Sequence, residues 1–171
     1  MRPRIAFDPY VEAEEAELYG AKLVDLDTLL SRADFVSLHC PLSVQTRGMI
    51  GAPQLARMRP DAYLINTARG GIVDEDALLD ALRDHRIAGA ALDCYRDEPV
   101  LEYARWSQLD NVLLAPHSIG WTDELFRDMG TAACRRLVDL ARGHAGQGGL
   151  VNPEVLERPS FQRKWNQLKI P

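Results

Sequence analysis

The chain has 171 residues, 46% of them hydrophobic and 26% charged, with a net charge of −5. This is the composition of an ordinary globular domain, and it lacks the basic field that would favour nucleic acid or an anionic membrane. No run approaches the roughly 20 apolar residues of a membrane span, and no secretory leader is visible. Three dispersed cysteines (Cys40, Cys94, Cys134) have no metal spacing, so reduced thiols in a cytoplasmic protein without a bound metal are expected.

Short apolar runs alternate with helical patterns along the chain. Arg4 to Phe7 reads as a strand, and Val11 to Tyr19 as a Glu-rich helix. A strand at Lys22 to Val24 and a helix at Leu26 to Ser31 follow. Further strands are expected at Phe35 to Leu38, Ala62 to Ile65, Ile87 to Leu92 and Val112 to Leu114. Between them, Asp74 is placed to cap a helix from Glu75 to His85 whose Leu78, Ala81 and Leu82 share a face. Thr122 is placed to cap another that runs to Arg142, with Leu125, Met129, Ala133, Leu137 and Ala141 spaced four apart. From Gly143 the chain becomes Gly-rich, then polar with Pro153, Pro159 and Pro171. Residues 1–149 are therefore expected to form the domain and 150–171 a weakly ordered tail. Near-continuous apolar strands alternating with helices predict a doubly wound parallel α/β sheet of the Rossmann type.

In such a sheet, ligands bind at the carboxyl ends of the strands. Asp8 ends the first strand, where an acid accepts hydrogen bonds from adenosine ribose hydroxyls and disfavours a 2′-phosphate. It reads equally as the start of an Asp-Pro turn. Arg69 follows a strand in Asn66-Thr67-Ala68-Arg69-Gly70-Gly71, a turn able to approach a ligand closely. Its guanidinium fork suits a carboxylate, although a lone turn arginine is more often just solvated. Asp93 and Glu98 follow the next strand, and His117 and Ser118 the last. Histidine is the side chain that trades protons near neutrality, but each of these residues taken singly has a structural reading as well.

Together and in order, these segments resemble the NAD-binding domain of the D-isomer-specific 2-hydroxyacid dehydrogenases. The similarity runs from about Ile5 to Asn152. It is most specific in His39-Cys40-Pro41-Leu42 with Thr46, in Leu64 through Asp74, in Ala91 to Pro99, and in Asn111 to His117. The resemblance implies NAD as cofactor and hydride transfer to or from a small 2-hydroxy or 2-oxo acid. It implies Arg69, Glu98 and His117 as catalytic residues. Asp8, Cys40, Pro41, Thr46, Thr67, Ala68, Asp93 and Ser118 would lie along the cofactor, and a full-length enzyme would be a homodimer. Two alternatives remain open on the sequence: an NAD(H)-sensing interaction protein like the family's transcriptional corepressors, and a fragment without function. Glu98 stands where the related formate dehydrogenases carry Gln, whereas phosphite oxidation would use the same Arg-Glu-His set.

The chain departs from the family pattern in three places. Val100 to Gln108 lacks the usual Pro-Leu, and Cys94-Tyr95 replaces a frequent Val-Phe. No Gly-x-Gly-x-x-Gly occurs. The ribose acid follows that turn by about 20 residues, which places it roughly a dozen residues before Met1. The first strand and first helix of the fold are thus expected to be missing. A gap is expected between the strands at Arg4 to Phe7 and Phe35 to Leu38, and the 171 residues alone are expected neither to bind NADH tightly nor to turn over substrate.

Overall fold

A computed structural model describes residues 4–100, 103–144 and 150–168. The chain divides into two compact units, Met1–Ile119 and Gly120–Pro171. The first contains, in order, β1 (Arg4–Ala6), α1 (Ala13–Leu18), β2 (Ala21–Leu23), α2 (Leu26–Arg32), β3 (Phe35–Leu38), α3 (Ala52–Leu55), β4 (Tyr63–Asn66), α4 (Glu75–Arg83), β5 (Gly89–Leu92), α5 (Tyr103–Trp106) and β6 (Val112–Leu114). A single 3₁₀ turn, Gly70–Ile72, leads into α4. The expected strands and long helices all form, with ends within two residues of those the pattern gives.

All ladders are parallel, as the alternation of strand and helix requires. They fall into two sheets, β1-β2 and β3-β4-β5-β6. The division lies between β1 and β3, where the doubly wound order places a central strand, and no described residue bridges it. The expected gap is therefore present. Its physical mark is visible on β3, where Val36 and Leu38 are buried but Phe35 remains 66% exposed.

The core belongs to the larger sheet. Leu64 on β4, Leu78 and Leu82 on α4, Leu30 on α2, Leu55 on α3 and Ile72 are all essentially inaccessible. Each fully buried aliphatic side chain of this kind contributes about 1.5–3 kcal/mol. Local chemistry sets the helix starts. The Asp74 carboxylate accepts from the Asp76 and Ala77 amides at 3.1 and 3.2 Å, capping α4. Asp25 likewise caps α2, accepting from the Thr28 amide at 2.8 Å and the Thr28 hydroxyl at 2.7 Å. The backbone Thr28 bond in particular holds the Asp25 carboxyl below its usual range.

The second unit contains α6 (Asp123–Ala141), a 3₁₀ turn (Pro153–Glu157) and α7 (Pro159–Leu168). Thr122 caps α6 by accepting from the Leu125 amide at 3.1 Å. The apolar stripe of α6 is helical as expected, but no residue of the helix is buried, and Met129 and Leu137 are 61% and 68% exposed. Within the expected tail of residues 150–171, the described residues include helical turns from Pro153 to Leu168. Pro153 and Pro159 both start helical turns, where the missing N–H costs nothing. One turn apart on α7, the Phe161 and Trp165 rings meet at 5.4 Å, and the Trp165 indole donates to the Leu140 carbonyl at 2.6 Å. The Gly-rich residues 145–149 lie outside those described.

Candidate active site

Parallel strands bring their carboxyl ends to one edge of the larger sheet, and the expected chemical residues follow those ends. Beyond β4, the chain turns through Thr67, Ala68 and Arg69 into Gly70. Asn66, 1% exposed, fastens this turn: its side-chain oxygen accepts from the Ala68 amide at 3.1 Å and its side-chain nitrogen donates to the Arg69 carbonyl at 3.0 Å. Gly70 is needed for contact rather than for flexibility. A β-carbon there would sit 1.9 Å from the Tyr95 carbonyl carbon, so the turn after β4 lies directly on the backbone that follows β5.

The segment after β5 carries Asp93, Tyr95 and Glu98. Asp93 is 4% exposed, and its carboxylate accepts from the Ser118 amide at 2.8 Å and the Ile119 amide at 3.1 Å. Those two bonds hold the loop after β6, where His117 has a left-handed backbone with φ of 55°. Histidine enters this region more readily than most residues, and the Asp93 bonds to the next two amides hold it there. The Tyr95 hydroxyl supplies a further tie, donating to the Ala115 carbonyl at 2.9 Å. Burial pushes its phenol up to about 12 and the neighbouring Cys94 thiol up to about 11, so both stay protonated and uncharged at neutral pH.

Glu98 joins the two segments. One oxygen accepts from the Tyr95 amide at 2.9 Å and the other pairs with His117 Nδ1 at 2.7 Å. The His117 bond, helped by the Tyr95 amide, holds the Glu98 carboxyl below the usual carboxylate range. Glu98 is therefore an anion at neutral pH and accepts from Nδ1–H, which leaves Nε2 as the ring nitrogen not engaged by Glu98. Arg69, Glu98 and His117 line one open cavity of about 280 Å³, together with Leu42, Arg47, Gly70, Gly71, Tyr95 and Arg96.

The remaining expected residues are placed as follows. Cys40, half-buried, and Pro41 follow β3. The Thr46 hydroxyl is engaged within that loop, donating to the Pro41 carbonyl at 2.7 Å and accepting from the Ser43 amide at 2.8 Å. Thr67 and Ala68 are half-buried after β4, and Ser118 is held by Asp93. Asp8 stands apart. It follows β1, is exposed, and accepts from the Tyr10 amide at 2.8 Å in a local turn. The sequence reading assigned no role to Asn66, Tyr95 or Arg47. Asn66 carries a signal, a polar group at the end of an apolar strand, whereas Tyr95 in the charged stretch after β5 and Arg47 in a polar loop carry none. Among the described residues no cluster of His, Cys, Asp or Glu could hold a metal ion, and no helix is long and apolar enough to cross a membrane.

A split but parallel α/β sheet, with an arginine and a carboxylate–imidazole pair at its carboxyl edge, is the arrangement of a dinucleotide-binding fold. Residues 3–118 match the family model described as D-isomer specific 2-hydroxyacid dehydrogenase, NAD binding domain. The chain belongs to this family, whose domain binds NAD. It is 38% identical over 158 residues to a D-3-phosphoglycerate dehydrogenase of Synechocystis sp., covering 90% of this chain and 28% of that protein. It is 44% identical over 145 residues to a glyoxylate reductase of Thermococcus litoralis, covering 85% of this chain and 43% of the relative. Among solved structures, the NAD-complexed D-isomer specific 2-hydroxyacid dehydrogenase of Lactobacillus delbrueckii ssp. bulgaricus superposes with a TM-score of 0.75 at 34% identity. That match covers 85% of this chain and 48% of the other. The D-lactate dehydrogenase of Lactobacillus jensenii with NAD+ gives the same TM-score at 35% identity, over 84% and 46%. The chain thus spans less than half the length of each of these proteins.

Proposed function

We propose that this protein is an NAD-dependent oxidoreductase that interconverts a small 2-hydroxy acid and its 2-oxo acid. The single observation that carries this reading is the meeting of Arg69, Glu98 and His117 at one cavity, with Nδ1 of His117 held 2.7 Å from Glu98. The residues at the sheet edge suit the cofactor chemically: an acid for ribose hydroxyls at Asp8, small and apolar side chains at Cys40, Pro41 and Ala68, and hydroxyls at Thr46, Thr67 and Ser118. The 171 residues contain no Gly-x-Gly-x-x-Gly, so that pyrophosphate cradle is not among them.

NAD(H), when bound, supplies or accepts the hydride at the substrate's C2. Arg69 grips the substrate carboxylate through two parallel bonds and so orients C2. His117 Nε2 holds the proton that passes to the carbonyl oxygen in reduction and receives it back in oxidation. Glu98 fixes the imidazole tautomer and neutralises the imidazolium when His117 carries that proton. Asp93 acts on the same group from behind by pinning the 118–119 amides, and it is the acid we assign to the nicotinamide carboxamide. Asp8, with a carboxylate that repels a 2′-phosphate, favours NAD over NADP.

We further assign the protein to the cytoplasm, a reading supported by three cysteines that form no disulfide. Its assignment as a homodimer is supported by the exposed apolar residues of α6. The test uses the protein as its native host makes it. NADH consumption is followed with glyoxylate, hydroxypyruvate and pyruvate, for the wild type and for His117→Gln. Turnover of at least one acid, lost in His117→Gln, is expected; no turnover of any acid, or an unaffected variant, overturns the reading.

A further inference from the structure

We propose that the cavity takes a doubly anionic acid, and that Arg47 is the specificity residue that binds the second negative group. The proposal rests on the reading of Arg69 as the carboxylate anchor. Three arginines line the cavity: Arg47, Arg69 and Arg96. Arg96 is already neutralised, with Asp76 and Asp97 each 3.3 Å from its guanidinium. Glu98, the carboxylate of the cavity, is committed to His117. Among the described residues no carboxylate lies within ion-pair distance of Arg47 or Arg69. Arg69 feels the nearby charge of Glu98, which lies beyond ion-pair distance, whereas Arg47 has no carboxylate partner among the described residues, so the cavity keeps an excess of positive charge.

The position of Arg47 is set by its backbone. Its amide donates to the Ser43 carbonyl at 3.0 Å, inside the loop that Thr46 ties to Pro41. The next residue, Gly48, donates to the Gly71 carbonyl at 2.9 Å, and Ile50 bridges to Val73. The loop after β3 is thus fastened to the turn after β4. The side chain follows: a β-carbon on Gly71 would meet Arg47 Nη1 at 3.3 Å, so the guanidinium lies over Gly71, two residues from Arg69. A monoanionic acid held at Arg69 leaves Arg47 uncompensated, whereas an acid with a second carboxylate or a phosphate at its far end engages both. Arg47 lies over Gly71, two residues from Arg69, so a second anionic group on a short spacer can reach it. Arg47 is exposed, so water and salt screen its pull, and the expected preference is roughly tenfold rather than thousandfold.

The test pairs acids that differ by one anionic group: D-malate against D-lactate, and 3-phospho-D-glycerate against D-glycerate. Calorimetric titration of the natively produced protein, with and without NAD+, should show the dianion of at least one pair binding roughly tenfold tighter than its partner. The pair with the larger ratio tells whether carboxylate or phosphate is preferred. Arg47→Gln should collapse that ratio to about threefold or less, and Arg47→Lys, which keeps a point charge without the fork, should restore part of it. Equal affinities in the wild type overturn the proposal. So does a ratio that survives Arg47→Gln, or a loss of the same size for monoanions and dianions. NADH consumption with oxaloacetate and pyruvate is read separately. A binding preference without turnover leaves the second anion site standing and removes the dehydrogenase reading instead.

Discussion

The two sheets are made of strands of similar length, three residues in β1 and β2 and three or four in β3 to β6, yet they are held very differently. The larger sheet is packed by α2, α3 and α4, and Leu64 at its centre is wholly inaccessible. Around the smaller sheet only Ala16 of α1 is buried, while Leu18 and Tyr19 are 85% and 73% exposed. The contrast shows what short parallel strands need: their stability comes from an apolar face buried under helices, not from the ladders themselves. It also divides the chemistry. Arg69, Glu98 and His117 follow strands of the firm sheet, and Asp8, the residue assigned to cofactor choice, follows a strand of the thin one.

The largest test of this contrast is thermodynamic. Leu64→Ala should cost about 2–5 kcal/mol, the range for emptying a packed aliphatic site, whereas Ile5→Ala on half-buried β1 should cost under about 1 kcal/mol. Urea unfolding of both variants measures the difference, and equal losses would mean that the smaller sheet shares the core after all. Next comes the chemistry on the firm sheet. Arg69→Lys keeps the charge but loses the fork, and should lower kcat/KM for the oxo acid at least tenfold, about 1.4 kcal/mol, with NADH affinity little changed. Steady-state kinetics that show intact substrate use would make Arg69 a solvated turn residue.

A smaller effect is expected on the thin sheet. Asp8→Ser preserves a side chain able to accept from the Tyr10 amide, so the turn should persist while the NAD-over-NADP preference narrows several-fold. Measuring kcat/KM with both cofactors checks it, and a wild type that uses NADP as readily as NAD would contradict it. The smallest effect is a titration. Because the bond to His117 depresses the Glu98 carboxyl, the pair is complete above the ordinary carboxylate range and is lost only as pH falls through the depressed value. Carbon NMR of Glu98 should therefore show a midpoint below that of a free glutamate. In His117→Gln the midpoint should move up towards the ordinary value, the Tyr95 amide retaining part of the depression. A midpoint unmoved by His117→Gln would detach Glu98 from the imidazole.

The sequence told more about the firm sheet than about anything else. Its strands could be read because the apolar runs are bounded by chemical residues and because Asp74 announces α4. The meeting of Arg69, Glu98 and His117 at one cavity could be read because strand ends in this topology share an edge. Short elements could not: α3 and α5 have four residues each, too few for a helical period to show. The helix α7 was hidden by its polar composition, although Pro159 at its start and the four-residue spacing of Phe161 and Trp165 both pointed to it. For α6 the stripe predicted the helix but not its cover, because periodicity says which face is apolar and nothing about what lies against it. Arg47 is a different case. Its position depends on a loop fastened to another loop across the sheet, a long-range fact that no local pattern carries.

The contact at Gly70 sets the turn that carries Arg69 directly against the backbone of the segment that carries Glu98. No side chain of any size can be inserted there without parting the Tyr95 peptide from the turn after β4. The spacing between Arg69 and Glu98 is therefore not open to gradual adjustment by substitution at Gly70. Change in this cavity is left to its rim, where groups such as Arg47 reach in from outside, while the separation of the turn after β4 from the segment after β5 is inherited unchanged.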